Sequence, residues 1–373
     1  MFAHHFLFST VFSFPNNMTC FSNLSHFSNE IKKDSSQFIR NQAEFCCFSC
    51  STLQYLNRSA YFRLFSLIFE EISITIKIMP FWAYENEGEI NMFEIVEKRS
   101  LNPSMTLMVV KAPYIAKKAK AGQFIILRVN EKGERIPLTI ADYDREVGTV
   151  TIIFQIVGKT TMMLNQLNKG DAILDFIGPL GKASELEGHK HVAVIGGGAG
   201  CAIAYPQAKA LHAMGTTVDM IAGFRNTDLI ILEDEMRAAS EHLYLMTDDG
   251  SNGHKGFVTN ALQENIDNGI QYDLVVAIGP LPMMRAVCDV TKKAGIKTII
   301  SMNSIMIDGT GMCGCCRLTV DGKTKFACVD GPDFDGHLVD FDEAIKRGAT
   351  YRKQEREAAE EYKCHLFEGV DNA

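Results

Sequence analysis

Three cysteines and an aspartate near the C-terminus combine residue type and spacing in a way that can do chemistry. Asp308, Cys313, Cys316 and Cys328 are separated by five, three and twelve residues, the spacing of a chain wrapped round a small iron–sulfur cluster. Glycines at 309, 311 and 314 are interleaved with them and let backbone N–H groups come close to inorganic sulfide. Zinc is the competing occupant, because C-x-x-C followed by a hairpin and a further cysteine can hold it. Three cysteines with one aspartate is, however, an unusual structural zinc set. Asp308 has a plainer reading as a turn residue before Gly309. As a ligand, its hard oxygen would replace a thiolate and retune the cluster. Cys315, between two of the ligands, is expected to point away.

A second constellation surrounds glycine. The apolar run Val192–Ile195 leads into Gly196, Gly197, Gly198, Ala199 and Gly200, and a helical pattern from Ala202 to Met214 follows. Strand, glycine loop and helix in that order form a seat for nucleotide phosphates. Cys201 takes the third fingerprint position, so the motif is not a strict G-x-G-x-x-G. The alternation continues with strands at 218–223, 243–247, 274–278 and 298–303 and helices at 228–239, 256–264 and 284–294. This period predicts a doubly wound parallel sheet with ligands at the strand C-terminal ends. Those ends carry Arg225, Asp248, Gly279, Pro280 and Met283 besides the glycine loop. Arg225 could meet a 2′-phosphate, so the residues alone do not separate NAD(H) from NADP(H).

Upstream, short β-rich runs at 93–98, 105–110, 123–129, 150–157 and 171–176 are punctuated by Gly and Pro and read as a small antiparallel barrel. Arg135-Ile136-Pro137-Leu138-Thr139 lies among them. Pro137 marks an edge or strand end, and a strand-end Arg135 beside Thr139 suits a phosphate or a flavin edge, or is simply surface. Gly158, Lys159, Thr160 and Thr161 open a helix, as a pyrophosphate seat or an ordinary cap. Leu318–Val320 and Lys325–Ala327 form a hairpin that places Cys328 at the end of its return strand. Residues 341–362 read as one charged, solvated helix. His337 is expected to be structural and Cys364 inert. The organisation is then a barrel over 92–188, a parallel α/β domain over 189–303, a cluster subdomain over 304–340 and a C-terminal helix over 341–373.

The remainder sets limits. A net charge of −8 with no basic run argues against nucleic acid, and no uncharged apolar run is long enough to predict a membrane span. Clustered cysteines suit metal binding in a reducing, cytoplasmic compartment. Residues 1–91 differ in kind: they hold one glycine of 29 but 14 of 24 phenylalanines. They carry too many acids for a transit peptide. They are expected to be a non-domain extension, with Met92 as the working start and with organelle targeting as the other possibility.

Taken together, the stretches 307–317, 326–332 and 334–337, with the glycine triplet, Gly223-Phe224-Arg225-Asn226, Thr247-Asp248-Asp249-Gly250 and Gly279–Met283, resemble a known family. From Met92 onward the chain is similar to small subunits of NADH-dependent reduced ferredoxin:NADP+ oxidoreductase (the sulfide dehydrogenase small subunit type). The wider superfamily is ferredoxin–NADP reductase-like and includes the electron-transfer subunit of dihydroorotate dehydrogenase. The resemblance implies FAD on the barrel, held by Arg135, Pro137, Leu138 and Thr139, with Gly158, Thr160 and Thr161 on its pyrophosphate side. It implies NAD(H) on Gly196, Gly197, Gly198, Gly200, Arg225, Asp248, Gly279, Pro280 and Met283. It implies a [2Fe–2S] cluster on Asp308, Cys313, Cys316 and Cys328. It implies, too, a larger flavin and iron–sulfur partner related to the glutamate synthase small subunit, through which ferredoxin is reached indirectly. Dihydroorotate-linked relatives have cysteine as first ligand, so Asp308 favours the ferredoxin–NADP branch. Ser304 and Cys315 depart from the pattern without removing a ligand. The rival functions are the electron-transfer subunit for dihydroorotate oxidation and a non-catalytic, zinc-binding nucleotide sensor.

Overall fold

The computed structural model describes residues 93–368; the expectations for residues 1–92 and 369–373 lie outside them. The first part is an antiparallel sheet: β1 (Phe93–Asn102), β2 (Met105–Lys111), β3 (Phe124–Arg128), β4 (Ile136–Asp144), β5 (Thr149–Gln155), β6 (Ala172–Ile173) and β7 (Asp175–Leu180). Helix α1 (Pro113–Lys118) follows β2, and α2 (Lys159–Gln166) follows β5. The strand order is β6-β1-β2-β5-β4-β3-β7. β6 and β7 are therefore the two outer strands, yet only Leu174 separates them in sequence. The single run expected at 171–176 is two strands, and the bend between them closes the barrel.

The apolar run of β2 serves two cores. A strand sends alternate side chains to opposite faces. Met108 and Val110 enter the barrel interior with Ile125, Ile140, Ile152 and Leu164. Met105 and Leu107 pack outward into a second core with Val192, Val194 and Cys201. That second core belongs to the parallel sheet of β8 (His191–Gly197), β9 (Thr217–Phe224), β10 (His242–Thr247), β11 (Leu274–Ile278) and β12 (Thr298–Ser301). Helices α3 (Cys201–Ala213), α4 (Glu233–Ala238), α5 (Val258–Asp267) and α6 (Leu281–Ala294) connect its strands. The order β10-β9-β8-β11-β12 reverses direction between β8 and β11, which creates a switch-point crevice at the strand C-terminal ends.

The last part is a hairpin of β13 (Arg317–Val320) and β14 (Lys323–Phe326), then α7 (Ala327–Asp330), β15 (Asp333–Asp335), α8 (Phe341–Gly348) and α9 (Arg352–Glu368). Four local expectations change. The sheet expected to be parallel throughout gains an antiparallel edge strand, because β15 pairs with β12. Cys328 lies on α7 and not at the end of the return strand. The helix expected at 228–239 starts only at Glu233, because Ile231 and Leu232 turn into the core, Leu232 with φ 54°. The C-terminal helix is two helices, broken where the Thr350 hydroxyl donates to Arg347 O at 2.7 Å. No helix among the described residues is long and apolar enough to cross a membrane.

Leu164 sits on α2 and is wholly buried in the barrel. Leu164→Ala should lower stability by about 2–5 kcal/mol, read from the shift of the urea unfolding midpoint at constant slope.

Candidate functional site

The crevice at the switch point is a cavity of about 820 Å³. It brings together Gly197, Gly198, Gly200, Arg225, Asp248, Gly279, Pro280 and Met283. Gly196 stays inside β8, behind this wall. At Gly200 a side chain has no room: its Cβ would stand 2.3 Å from Ile278 O, so only glycine lets the start of α3 close against β11. A Cβ on Gly198 would meet nothing within 4 Å; that open space beside backbone amides fits a pyrophosphate. Burial pushes the Cys201 thiol up to about 12, so the residue at the third fingerprint position is an inert core group. The charged residues lining the cavity are Arg225, Asp248 and Arg352. Ser301, Asn303, Ile345, Gly348 and Arg352 also line it and were missed from sequence. Ser301 and Asn303 were legible from the strand-end rule. The last three come from a segment whose charge pattern reads as a solvated helix.

The barrel presents an open backbone edge. Residues 136–139 pair with β3, whereas pairing of β4 with β5 begins only at Ile140. Pro137 is thus near a strand end, as its missing N–H requires. Pro137, Leu138 and Thr139 are half-buried along this edge, a fit for a flat ring with hydrogen-bonding sides. At the start of α2 the two threonines divide. Thr161 Oγ1 accepts from the amides of Gly158 at 3.0 Å and Val157 at 3.1 Å and donates to Gly158 O at 2.9 Å. Its hydroxyl is consumed by the helix start, so the capping reading holds for Thr161. Thr160 Oγ1 is 3.4 Å from Glu134 Oε2, which sets α2 beside Arg135. The first intrahelical bond runs from Met162 N to Gly158 O, leaving the amides of 159–161 ahead of the helix's own ladder, where an anion is favoured.

The cysteine loop joins β12 to β13. Cys316 and Cys328 are both buried, with their sulfurs 3.2 Å apart. Burial, and then the neighbouring Cys316, pushes the Cys328 thiol up to about 12, so a metal would have to displace that proton. Cys313 is exposed. The Cys315 amide, assisted by those of Asp308 and Ile307, holds its thiol below the ordinary range. Asp308 Oδ2 accepts from the Thr310 hydroxyl, from Thr310 N at 2.9 Å and from Met312 N at 3.3 Å. The Thr310 hydroxyl and amide keep this carboxyl below its usual range. Asp308 is thus a turn residue through Oδ2, with Oδ1 left to ligate. Among the described residues no three His, Cys, Asp or Glu side chains converge on one ion. Pairs of ligands suit a two-iron cluster, with two protein ligands per iron. Cys315 does not point away as expected: its thiol lies in hydrogen-bond contact with that of Cys313, and its carbonyl accepts from Arg347 Nη2 at 3.1 Å.

This loop lies against the barrel. Gly309 has φ +81°, and a Cβ there would stand 2.8 Å from Ile126 Cγ1 and 2.9 Å from Leu180 Cδ1. Arg135 Nε donates to Ile307 O at 3.2 Å across 172 residues of sequence, so the strand edge and the cysteine loop are directly joined.

Comparison with known proteins agrees with this layout. Residues 194–289 match the oxidoreductase NAD-binding domain family. Residues 303–340 match the iron–sulfur cluster binding domain of dihydroorotate dehydrogenase B. An uncharacterised Clostridium beijerinckii protein from the adh 3′ region is 50% identical over 275 residues, covering 72% of this chain and 93% of that protein. A Thermotoga maritima homologue of the dihydroorotate dehydrogenase B (NAD+) electron transfer subunit is 45% identical, over 74% of this chain and 97% of its own length. A chain in the solved structure of an NADH-dependent reduced ferredoxin–NADP oxidoreductase, described for flavin-based electron bifurcation, superposes with a TM-score of 0.70 at 42% identity, covering 74% of this chain and 99% of that one. With a nucleotide crevice, an open barrel edge and a paired-thiol loop in one fold, this chain belongs to the ferredoxin–NADP reductase-like family of dihydroorotate dehydrogenase B electron transfer subunits and their homologues.

Proposed function

We propose that the chain is an electron-transfer subunit in which NADH occupies the crevice, FAD lies on the open edge of β4, and a [2Fe–2S] cluster is held by Asp308, Cys313, Cys316 and Cys328. The observation that carries this reading is the bond from Arg135 to Ile307 O, which makes the flavin strand and the cluster loop neighbours. When bound, the flavin takes two electrons together and the cluster passes them singly. The chain's own task is placement. Amides of Gly197–Gly200 seat the dinucleotide phosphates, with Arg225 and Asp248 at the adenosine end. Gly279, Pro280, Met283 and Ser301 wall the nicotinamide end. Amides of 159–161 take the FAD phosphates, while Arg135, Pro137, Leu138 and Thr139 hold the ring system.

The partner in this proposal is a larger flavin and iron–sulfur subunit related to the glutamate synthase small subunit, with ferredoxin reached through it. The solved ferredoxin–NADP oxidoreductase chain at 42% identity and the carboxylate first ligand support that choice. The name of the T. maritima homologue favours a second reading, service to a dihydroorotate dehydrogenase catalytic subunit. Affinity purification under anaerobic conditions separates them. Recovery of a glutamate-synthase-like subunit supports the first reading, and recovery of a dihydroorotate dehydrogenase subunit in its place overturns it.

Two substitutions test the sites. Gly200→Ala should weaken NADH binding at least about tenfold, measured by titration of flavin fluorescence, with FAD and iron contents unchanged. Asp308→Cys should retain the cluster with a shifted midpoint potential in an EPR-monitored redox titration; an unchanged potential removes Asp308 from the ligand set.

A further inference from the structure

A second polar cluster lies behind the crevice wall at β12, and its members other than Ser301 have no part in the roles above. Asp333, the first residue of β15, is the register partner of Ser301, and Ser301 lines the crevice. Asp333 as a whole is half-buried, but its carboxyl is enclosed: Oδ1 is buried and has no hydrogen-bond partner. Oδ2 accepts from Ser184 Oγ at 2.5 Å and lies 3.4 Å from Nε2 of Gln207 on α3. Gln207 is wholly buried, and its Oε1 is likewise without a partner. The Ser301 hydroxyl also faces the carboxyl. The groups that meet Asp333 from the barrel exit, from α3 and from β12 are therefore Ser184, Gln207 and Ser301, and all three are neutral.

Two orphan acceptors, on two buried groups already in contact, are a specific pattern. Buried acceptors are normally paired, and an ionised Asp333 would leave both of these bare. One proton on Oδ1 resolves both at once. A proton on Oδ1 would give Gln207 Oε1 a donor while Gln207 Nε2–H faces Oδ2 at 3.4 Å, the pairing that a carboxylic acid and a primary amide can form. Burial without a facing cation pushes this carboxyl above its usual range, which agrees with the neutral acid.

We propose that Asp333 is a positioning residue that stores a proton for the crevice, held in its acid form by Gln207 and exchanged through the Ser301 hydroxyl. This rests on the reading of the crevice as the NADH and flavin site. Reduction of flavin by NADH consumes one proton beyond the hydride: NADH + H+ + FAD → NAD+ + FADH2. Asp333 gives its proton to Ser301 Oγ as Ser301 releases its own hydroxyl proton into the crevice, and Asp333 is left a carboxylate. Ser184, donating to Oδ2, keeps that anion from standing bare. When the two electrons leave through the cluster, two protons are returned; one goes back along Ser301 to Asp333 and the other to solvent.

Infrared spectroscopy on the anaerobic full-length holoprotein tests the protonation directly. The wild type should show a carboxylic acid C=O band at neutral pH that diminishes on NADH reduction and is missing in Asp333→Asn. Asparagine can still pair with Gln207, so the fold is retained. In stopped-flow mixing with NADH, Asp333→Asn and Ser301→Ala should each slow flavin reduction by about 10²-fold, and in Asp333→Asn, which leaves the crevice lining intact, NADH affinity should be unchanged. Ser301→Thr, which keeps the hydroxyl, should restore the rate. The wild-type rate should fall as rising pH removes the Asp333 proton, and the Asp333→Asn rate should not. An acid band and a pH profile that survive Asp333→Asn unchanged overturn the proposal. A wild-type flavin that NADH does not reduce overturns the crevice reading instead, and the infrared band then still decides whether Asp333 holds a proton.

Discussion

The contact between the cysteine loop and the barrel is the constraint on which the arrangement depends. Gly309 stands so near Ile126 and Leu180 that no side chain fits, and the surrounding chain is bonded to keep it there. Lys182 N donates to Gly331 O at 2.7 Å, tying the barrel exit to the return of the loop. Met302 N donates to Pro332 O at 2.9 Å, tying the same return to the end of the parallel sheet. A loop that long would pay heavily in entropy if it were ordered by its ends alone. Backbone bonds to two different bodies fix it where two cofactor sites must adjoin.

The two ends of the parallel sheet treat buried carboxylates in opposite ways. At the amino end Asp219 is wholly buried and amply supplied. Tyr272 donates to it at 2.7 Å, and the rings of His191 and His242 lie at 3.1 and 2.9 Å. Burial and this carboxylate push the Tyr272 phenol well above its ordinary range. A network satisfied in that way fixes structure. Asp333, near the carboxyl end of the sheet, has neutral partners and an empty corner. The same residue type is a brace in one place and a mobile store of charge in the other, and the difference is that both oxygens of Asp219 have partners while Oδ1 of Asp333 has none.

Much of this was legible in the sequence because the signals are local. Val192–Ile195 followed by glycines can hardly be anything but a buried strand entering a phosphate loop, and the four strands after it repeat the scheme. Cysteine spacing named the cluster loop for the same reason. What stayed hidden depends on distant pairing. Nothing near Arg135 indicates Ile307. Nothing in Gln207, within an alanine-rich helix, indicates a buried amide facing Asp333. β15 is three residues long, too short for any period to register. The break at Thr350 is marked by one hydroxyl on a backbone carbonyl, and after it Arg352, still exposed, lines the rim of the crevice. At Thr161 the sequence allowed a pyrophosphate seat or a cap; the hydroxyl bonds the start of its own helix, a choice no local pattern decides.

The division of β2 between two interiors has a mechanical corollary. Met108 answers to the barrel, and Leu107, one residue earlier, answers to the parallel sheet. Two lobes hinged on a linker can be loosened separately, but lobes that share a strand lose their packing together. The pair should therefore melt as one cooperative unit. The looser side of the crevice is the rim built from α8 and α9, where among the described side chains of α9 only Ala359 is buried.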